Sequence, residues 1–564
     1  MAVLLVLVAA LVPAGRWLWT RQSLGWQVER GLELLAGADN PLRVRAALDQ
    51  WEAETRTNWE SRRDELVAHL VNTRPLEDQR VRRLLTRVAG ADYGPRRDDW
   101  QRWYDARKRL RHGLPPDVAR RETVRLERRW AAPVGLTTWF TTILPLDGQV
   151  FVASLGADFN DPRDEADGIV RVDGGTGRAE LLFTPPAAHR GPRDVIGLAT
   201  ADDGLIAACF NGSVYSLDKQ GQVRWHSHVG DPVVAPPLTI DLNRDGTDDV
   251  LVVTRAARVI ALSGRGGKTV WVTGLGKPTA GTDLLGATLA LGQVPGGADH
   301  ELIVTLPTGQ VEVLGLRDGR SRGRHELAAG TVAGVIGLAR LADSNGPAAC
   351  IADRAAAVWS LVGSAGRTEA VRWDVLSVRR DETLVAGLRT LRGGRGGRGG
   401  TEAAGLLLAC PTGPYTEGYA AVCALATGGL QWRFPLEGAV WATPAVADLN
   451  GDGAPEIVVA GVTAPREGPA GGVVVVLSSA GHCLNQVLLD TPVECSPVVA
   501  DVDGDRLLEI LVADQAGRLH CFATAGYGPV EWGTFGGDSR NTRNATNAYA
   551  FGQMPAGYQW TWKP

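Results

Sequence analysis

Hydrophobic and polar positions follow two patterns along this chain, and the change between them falls near residue 130. From Gly25 to about Gly113, apolar residues recur with a period near 3.6 among many charges, which predicts amphipathic helices. Pro41 and Pro75 mark turns, because proline suits the first position of a helix. The recurring apolar positions include Leu32, Leu34, Leu35, Val44, Ala47, Leu48 and Trp51.

Beyond residue 130, one short pattern recurs eight times. It is a β-run that ends in Leu or an equivalent residue and is followed by a turn. Successive run ends lie 45, 45, 52, 47, 64, 52 and 45 residues apart, and the longest interval contains the loop insertion 392–400. Such spacing is typical of propeller blades with four short strands each. We therefore predict an all-β, about eight-bladed β-propeller of four-stranded blades, preceded by a small α-helical domain. The run ends are Val172, Leu217, Leu262, Leu314, Leu361, Leu425, Leu477 and Phe522.

Several of these turns lead to a tryptophan four residues after a glycine, as in Gly221 to Trp225, Gly267 to Trp271 and Gly428 to Trp432. The glycine can supply positive φ, and the large tryptophan can pack between adjacent blades. With Thr427-Gly428 and Trp432 as its best match, the chain resembles the PQQ-like β-propeller repeat over roughly 131–535.

Three segments carry oxygen side chains at positions 1, 3, 5 and 9 of a short loop. Ca²⁺ takes about six to eight oxygen ligands around a tight turn, and the backbone carbonyl at position 7 can add one. We therefore predict calcium sites. The predicted ligands are Asp241, Asn243, Asp245, Thr247 and Asp249; Asp448, Asn450, Asp452, Ala454 and Glu456; and Asp501, Asp503, Asp505, Leu507 and Glu509.

The three loops differ from an EF-hand, which has Glu at position 12 and continues as a helix. Position 12 is Val252, Val459 or Val512, and apolar β-runs follow. The loops thus resemble the FG-GAP calcium repeat of integrin-like propellers, which implies metal ions that structurally pin strands within a blade. Metal-free Asx turns are the alternative. Arg506 stands where the other two loops have glycine, which puts the geometry of the third loop in question.

Segments at both ends of the repeat region are expected to help close the ring. Residues 122–130 are predicted to supply a strand to the blade completed at the other terminus. The segment 531–544 resembles the closing segment of such propeller proteins, with Trp532, Phe535, Asp538 and Thr542 as its matching residues. We expect it to pack on the ring and to help join the last blade to the first.

The first 15 residues are apolar and uncharged, and Arg16, Trp17 and Trp19 follow. This pattern predicts a signal peptide or a membrane anchor, and hence an extracytoplasmic chain, with a buried soluble helix as the alternative. Further along, residues 81–109 contain Leu84-Leu85, Asp92-Tyr93-Gly94, Trp100 and Trp103. Through these residues the segment resembles the terminal signature of HEAT-like helical repeats, with an unrelated small bundle as the alternative. The expected domains are 1–20 (signal or anchor), 21–115 (helical), 116–535 (propeller) and 536–564 (tail).

Charge and cysteine content limit the function classes. Residues 16–130 carry 25 basic and 18 acidic side chains, and the rest of the chain carries 34 and 45, so neither part is basic enough for a nucleic-acid binder. The seven cysteines include no CxxC pair. We expect buried thiols, with disulfides among Cys483, Cys495 and Cys521 as the alternative. His226 and His228 form an H-x-H for which no third metal ligand is apparent, which favours surface histidines.

These observations predict a non-catalytic, calcium-stabilised propeller of the cell envelope that binds a protein or a polysaccharide. Two enzymatic alternatives remain, a PQQ-dependent quinoprotein dehydrogenase and a calcium-dependent polysaccharide lyase. The vicinal cysteine pair of the quinoproteins is absent, since the closest cysteines, Cys483 and Cys495, are 12 residues apart. For the lyase, the sequence nominates no base.

Overall fold

A computed structural model describes residues 23–37, 41–59, 63–89, 97, 100 and, with gaps, 124–543; the longest gap is 374–404. The predicted signal or anchor, the insertion 392–400 and most of residues 90–123 lie outside the described residues. Two compact units result, residues 1–120 and 121–564.

The first unit is a group of four described helices, α1 (Leu24–Leu35), α2 (Pro41–Trp59), α3 (Arg63–Thr73) and α4 (Gln79–Ala89). Pro41 opens α2 and Pro75 lies between α3 and α4, as predicted. Trp51 is buried in the helical core, where its Nε1 donates to the Gln27 carbonyl at 2.8 Å. Among the described residues, no helix combines the length and apolarity needed to span a membrane.

The second unit is built almost entirely of short antiparallel strands. In chain order they are β1 (Glu127–Pro133), β2 (Ile143–Leu146), β3 (Gln149–Leu155), β4 (Asp167–Asp173), β5 (Ala179–Phe183), β6 (Val195–Ala201), β7 (Gly204–Cys209), β8 (Ser213–Leu217), β9 (Val223–His228), β10 (Leu238–Ile240), β11 (Asp249–Val253), β12 (Arg258–Leu262), β13 (Thr269–Gly274), β14 (Thr288–Gly292), β15 (Glu301–Thr305), β16 (Gln310–Gly315), β17 (Ser321–Glu326), β18 (Thr331–Arg340), β19 (Pro347–Asp353), β20 (Val358–Ser364), β21 (Arg367–Trp373), β22 (Gly405–Pro411), β23 (Gly418–Ala424), β24 (Gly429–Leu436), β25 (Gly438–Ala439), β26 (Ala445–Ala447), β27 (Glu456–Thr463), β28 (Gly471–Leu477), β29 (Cys483–Leu489), β30 (Val498–Ala500), β31 (Glu509–Ala513), β32 (Arg518–Ala523) and β33 (Val530–Trp532).

Within the described residues these strands form eight sheets, which confirms the propeller prediction. Blades 1 to 5 are β2–β5, β6–β9, β10–β13, β14–β17 and β18–β21; blade 6 is β22–β24; blade 7 is β26–β29 with β25 and β33 added; blade 8 is β30–β32 with β1. First strands touch between blades 1 and 2, 2 and 3, 4 and 5, and 7 and 8, and the fourth strands of blades 2 and 3 are partly exposed, so the first strand lies toward the axis. The predicted run ends fall on the third strands, except Leu425, which is outside the described residues.

Both ends of the repeat region build blade 8, as predicted. Strand β1 pairs antiparallel with β32, from Glu127 opposite Ala523 to Pro133 opposite Arg518. The Trp130 indole of β1 then donates to the Gly174 carbonyl of blade 1 at 2.8 Å. The same chain segment thus completes the last blade and fastens it to the first.

The predicted packing of tryptophans between blades is also confirmed. Trp225 of blade 2 donates to the Gly264 carbonyl of blade 3 at 2.6 Å, and its ring lies against Gly267. Trp271 of blade 3 lies against Gly319 of blade 4 in the same way. In the seam between blades 1 and 2, Leu182 takes the place of the tryptophan.

The segment from β33 to Arg543 runs along the inner strands. β33 pairs with β26 of blade 7, and the Gly533 carbonyl accepts the Val499 N–H of blade 8. The Ser539 carbonyl accepts the Thr200 N–H of blade 2 at 2.8 Å. The prediction that this segment packs on the ring is confirmed, but its hydrogen bonds join blades 7 and 8 to blades 2 and 3. Phe535 and Thr542 lie outside the described residues.

Polar side chains fix this C-terminal segment to blades 2 and 3. The Asn541 amide donates to the Leu198 and Pro237 carbonyls, each at 2.8 Å. Arg540 forms a two-pronged ion pair with Asp248 at 3.0 and 2.9 Å. Arg543 is buried, and burial lowers its pKa to about 9 against the opposing charge of Asp538.

The described cysteines are free thiols. Cys209, Cys495 and Cys521 are buried and Cys483 is half-buried, so the alternative of disulfides among the last three is wrong in this structure. Burial raises the pKa of the Cys495 thiol to about 12.

The glycine–tryptophan seam provides a test of blade packing. Gly267 has φ +68°, and a Cβ added there would lie 2.5 Å from the Trp225 ring. We expect Gly267→Ala to lower the free energy of unfolding by the ~1–2 kcal/mol of the left-handed backbone plus ~1–3 kcal/mol of overpacking. Gly230→Ala is the matched control, since Gly230 has φ +78° and open space around it. If urea unfolding shows that both variants lose the same free energy of unfolding, the packing of Trp225 on Gly267 does not stabilise the contact between these blades.

A buried carboxyl in blade 1 gives a second prediction. Asp167 is fully buried, and Arg193 favours its charged form too weakly to offset that burial. Burial raises its pKa to about 7, with the charges of Asp194 and Asp164 adding to the effect. The folded chain therefore holds this proton more tightly than the unfolded chain. Stability falls as pH rises from the ordinary aspartate value to about 7, by up to ~1.4 kcal/mol per unit.

We expect Asp167→Asn to raise the melting temperature, and to raise it more at pH 8 than at pH 5, because the amide cannot ionise. Asp173→Asn is the control, since hydrogen bonds from Thr176 lower the pKa of that half-buried turn carboxyl. Its effect should be the same at both pH values. Calorimetric melting at both pH values checks this, and a pH-independent gain for Asp167→Asn would contradict the raised pKa.

Candidate metal centre

The first carboxylate loop joins β10 to β11 and is held by its own backbone. The Asp241 carboxylate accepts the Asp245 and Gly246 N–H groups at 3.1 and 2.9 Å. Asn243 Oδ1 accepts the Asp245 N–H at 2.8 Å, and Asp245 Oδ1 accepts the Thr247 N–H at 2.9 Å. These short-range bonds are Asx turns, in which side-chain oxygens fold the backbone around themselves.

Position 9 closes the first loop from the strand side. Buried Asp249 accepts the Leu242 N–H at 3.1 Å and the Gly264 N–H at 2.9 Å, so it ties the loop to the turn after β12. Burial raises the pKa of Asp249, and the two N–H donors oppose that rise. This carboxylate therefore links three strands of one blade.

The third loop, between β30 and β31, has most of this bonding pattern, with the position-1 carboxylate accepting the N–H of position 4 where that of the first loop accepts the N–H of position 5. Asp501 accepts the Gly504 and Arg506 N–H groups at 2.7 and 3.0 Å, and Asp505 Oδ1 accepts the Leu507 N–H at 2.8 Å. Buried Glu509 accepts the Val502 N–H at 3.0 Å. The shared pattern indicates that the first and third loops have the same backbone course.

Arg506 does not change that course, although the sequence put the third loop in question. Position 6 has φ +83° at Gly246 and +73° at Arg506. Position 4 has φ +62° at Arg244 and +82° at Gly504. Each loop thus has two left-handed residues, and glycine and arginine exchange places between them. The third loop accepts arginine at position 6 at a backbone cost of ~1–2 kcal/mol.

The second loop is described only in part. Asp448 and Glu456 are buried, and Glu456 accepts the Leu449 N–H at 2.6 Å, the same bond from position 2 to position 9. The Asn450 amide donates to Glu456 at 3.0 Å. Asp452 and Ala454 lie outside the described residues, so their predicted role is untested.

The third loop brings metal-ligand atoms closest together. One carboxylate oxygen each from Asp501, Asp503 and Glu509 lie within 4.8 Å of one another. Glu509 Oε1 is buried and makes no hydrogen bond. Its burial raises the pKa of Glu509 to about 8, with added repulsion from Asp503 and Asp505. Converging hard oxygens of this kind fit a calcium ion, which would neutralise the repulsion.

A residue that the sequence did not nominate enters the third loop. Arg129 of β1 pairs with Asp503 and with Asp505 at 2.9 Å, and its Nη1 lies 3.6 Å from Glu509 Oε1. These carboxylates raise the Arg129 pKa further above its usual value. Arg129 is far from the loop in the chain, so no local spacing could have revealed the pair.

The other sequence candidates form no such cluster. His226 and His228 are exposed residues of β9, and the His226 ring stacks on Tyr215 at 4.5 Å. This agrees with the expectation of surface histidines. Within the described residues, the carboxylates of the third loop are the one group that meets the spacing for a metal ion.

Comparisons with known proteins bear on the repeat. Residues 187–360 match the family model described as outer membrane protein assembly factor BamB, which is of the PQQ type and supports the predicted PQQ-like repeat there. A search of curated proteins finds no match.

Among solved structures, BamB from Moraxella catarrhalis is 14% identical, with 71% of this chain and 100% of that chain covered and a TM-score of 0.43. Sqt1 from Saccharomyces cerevisiae is 9% identical, with 71% and 98% covered and a TM-score of 0.49. A europium-containing methanol dehydrogenase is 13% identical, with 71% and 93% covered and a TM-score of 0.45.

Calcium binding to the first loop can be tested on metal-stripped protein. Added Ca²⁺ should raise the melting temperature. When the free Ca²⁺ concentration is 100 times the Kd of a site, binding adds ~2.7 kcal/mol to the free energy of unfolding. Asp241→Ala should weaken this response. Asp218→Ala is the control, because Asp218 also folds a turn, through the Gln220 and Gln222 N–H groups, but lies in no carboxylate loop. A melting temperature that changes neither with chelator nor with added Ca²⁺ would contradict the calcium prediction.

Proposed function

We propose that the chain is a non-catalytic, calcium-stabilised β-propeller that binds a protein or a polysaccharide outside the cytoplasm. The observation that carries the proposal is the use of the loop carboxylates. In the first and third loops every predicted side-chain ligand already accepts a backbone N–H of its own blade. Groups used in this way hold strands in place, which favours a structural role for a bound ion.

The inner strands support the same proposal. The described residues of the segment 533–543 bond to the first strands of blades 8, 2 and 3: backbone carbonyls of the segment accept blade N–H groups, and the Asn541 side chain donates to blade carbonyls. These polar groups of blades 8, 2 and 3 are thus used to join blades. The outer loops are left as the surface for recognition, as is common where a rigid frame presents variable loops.

The extracytoplasmic location rests on the sequence and on one comparison. The apolar residues 1–15 have the pattern of a signal peptide or anchor. The family model matched by residues 187–360 describes an outer membrane assembly factor. We propose the same extracytoplasmic location for this chain. We also propose that a protein is the first kind of partner to test.

A quinoprotein dehydrogenase is the main alternative, and the residues do not fit its cofactor site. The sequence has no vicinal cysteine pair, and the described thiols are separate, with Cys495 and Cys521 buried and their pKa values raised. We derive no step through a quinone. The polysaccharide lyase has no specific observation in its favour.

Reconstitution with PQQ distinguishes a non-catalytic propeller from a quinoprotein dehydrogenase. The full chain, incubated with PQQ and Ca²⁺ and offered alcohols and sugars, should bind no stoichiometric quinone and show no turnover. An authentic quinoprotein dehydrogenase treated in parallel serves as the positive control. Stoichiometric quinone with turnover would overturn the proposal.

Partner binding is tested by capture from envelope extract with the full chain. Asp241→Ala should lower the melting temperature yet capture the same partner at moderate temperature, because the ion is proposed to act within a blade. Loss of capture by a folded Asp241→Ala variant would place the first loop in the binding surface instead.

A further inference from the structure

Arg129 reaches the third loop because of a β-bulge. Arg128 pairs with Phe522 and Trp130 pairs with Cys521, so Arg129 is the extra residue between them. A bulge redirects the side chain of its extra residue. Here that side chain meets Asp503 and Asp505, 374 and 376 residues further along the chain.

The same bulge recurs in other blades, and this permits a comparison among the three carboxylate loops. In blade 3, Leu262 pairs with Thr269 and Ala261 with Trp271, so Val270 is the extra residue. In blade 7, Leu477 pairs with Cys483 and Val476 with Asn485, which leaves Leu484. The blades of the first and second loops therefore have an apolar residue where the blade of the third loop has Arg129.

The first loop does have an arginine nearby, but its position differs. Arg265 reaches only Asp245, at 3.1 Å, and is 65% exposed. Arg129 is 29% exposed and meets carboxylates at positions 3, 5 and 9, including fully buried Glu509. An exposed single ion pair contributes little, whereas a guanidinium fork that joins an exposed, a half-buried and a fully buried carboxylate also offsets the charge of Glu509, which water cannot reach.

We infer that Arg129 is the cation of the third loop, in the role that calcium has in the proposed function of the first two loops. The inference rests on that proposed function for its comparison. The chain itself supplies the positive charge through the strand that closes the ring. Calcium can enter the third loop only if Arg129 leaves it, so blade 8 is pinned without metal while blades 3 and 7 depend on metal.

The test uses metal-stripped full-length protein and counts bound Ca²⁺ by equilibrium dialysis. We expect Arg129→Gln to bind one more Ca²⁺ per chain than the wild type, and Arg265→Gln to bind the same number as the wild type. Asp503→Asn added to Arg129→Gln should remove the extra ion. In chelator, Arg129→Gln should melt several degrees below the wild type, and Ca²⁺ should restore the difference.

An unchanged calcium count, or an unchanged melting temperature in chelator, for Arg129→Gln would overturn the inference. If the wild type binds no calcium and Arg129→Gln gains an ion, the inference stands and calcium stabilisation of the first two loops fails. If Arg129→Gln does not fold, Asp505→Asn replaces it, with Asp245→Asn as its counterpart. Asp505→Asn should lower the melting temperature equally with and without Ca²⁺; a calcium-dependent loss would place a metal in the third loop.

Discussion

The pairing of β1 with β32 is the interaction on which the rest of the propeller depends. Each blade is a small twisted sheet that cannot bury enough apolar surface alone, so blades are stable only when packed on neighbours. A ring gives every blade two neighbours only if its ends are joined. Here both ends enter one sheet, and Trp130 in that sheet bonds to Gly174 of the first blade. The same strand carries Arg129 into the third carboxylate loop.

Within the closed ring, one local device is used repeatedly and modified blade by blade. An outer strand carries a bulge, and the tryptophan that follows it packs on a left-handed glycine of the next blade, as at Trp225 and Gly267. The glycine has no Cβ, so the indole can approach the backbone closely. Where a blade lacks the tryptophan, as at Leu182, a smaller side chain fills the same seam. The fold therefore tolerates changes in the repeat as long as each seam stays filled.

The sequence predicted those features that depend on residues close together in the chain. The spacing of run ends such as Leu217 and Leu262 identified the blades, because each blade repeats the same strand and turn lengths. The carboxylate loops were equally visible, since position 9 bonds back to position 2 only seven residues away. The sequence did not predict the contacts of Arg129 with the third loop or those of Asn541 with blades 2 and 3. Their partners are brought together only by the closed ring, and no local period records such contacts.

The C-terminal segment has a consequence for how the protein is made. Its bonds from Gly533 to Asn541 use groups on first strands of blades 8, 2 and 3, and β33 uses a first strand of blade 7. It can therefore dock only once blades far apart in the chain have come together, and it leaves the ribosome after all of them. Until then those inner strands have N–H and carbonyl groups still to be satisfied. The growing chain must be kept from associating with other chains during this interval, which makes assembly, rather than the finished ring, the stage most exposed to failure.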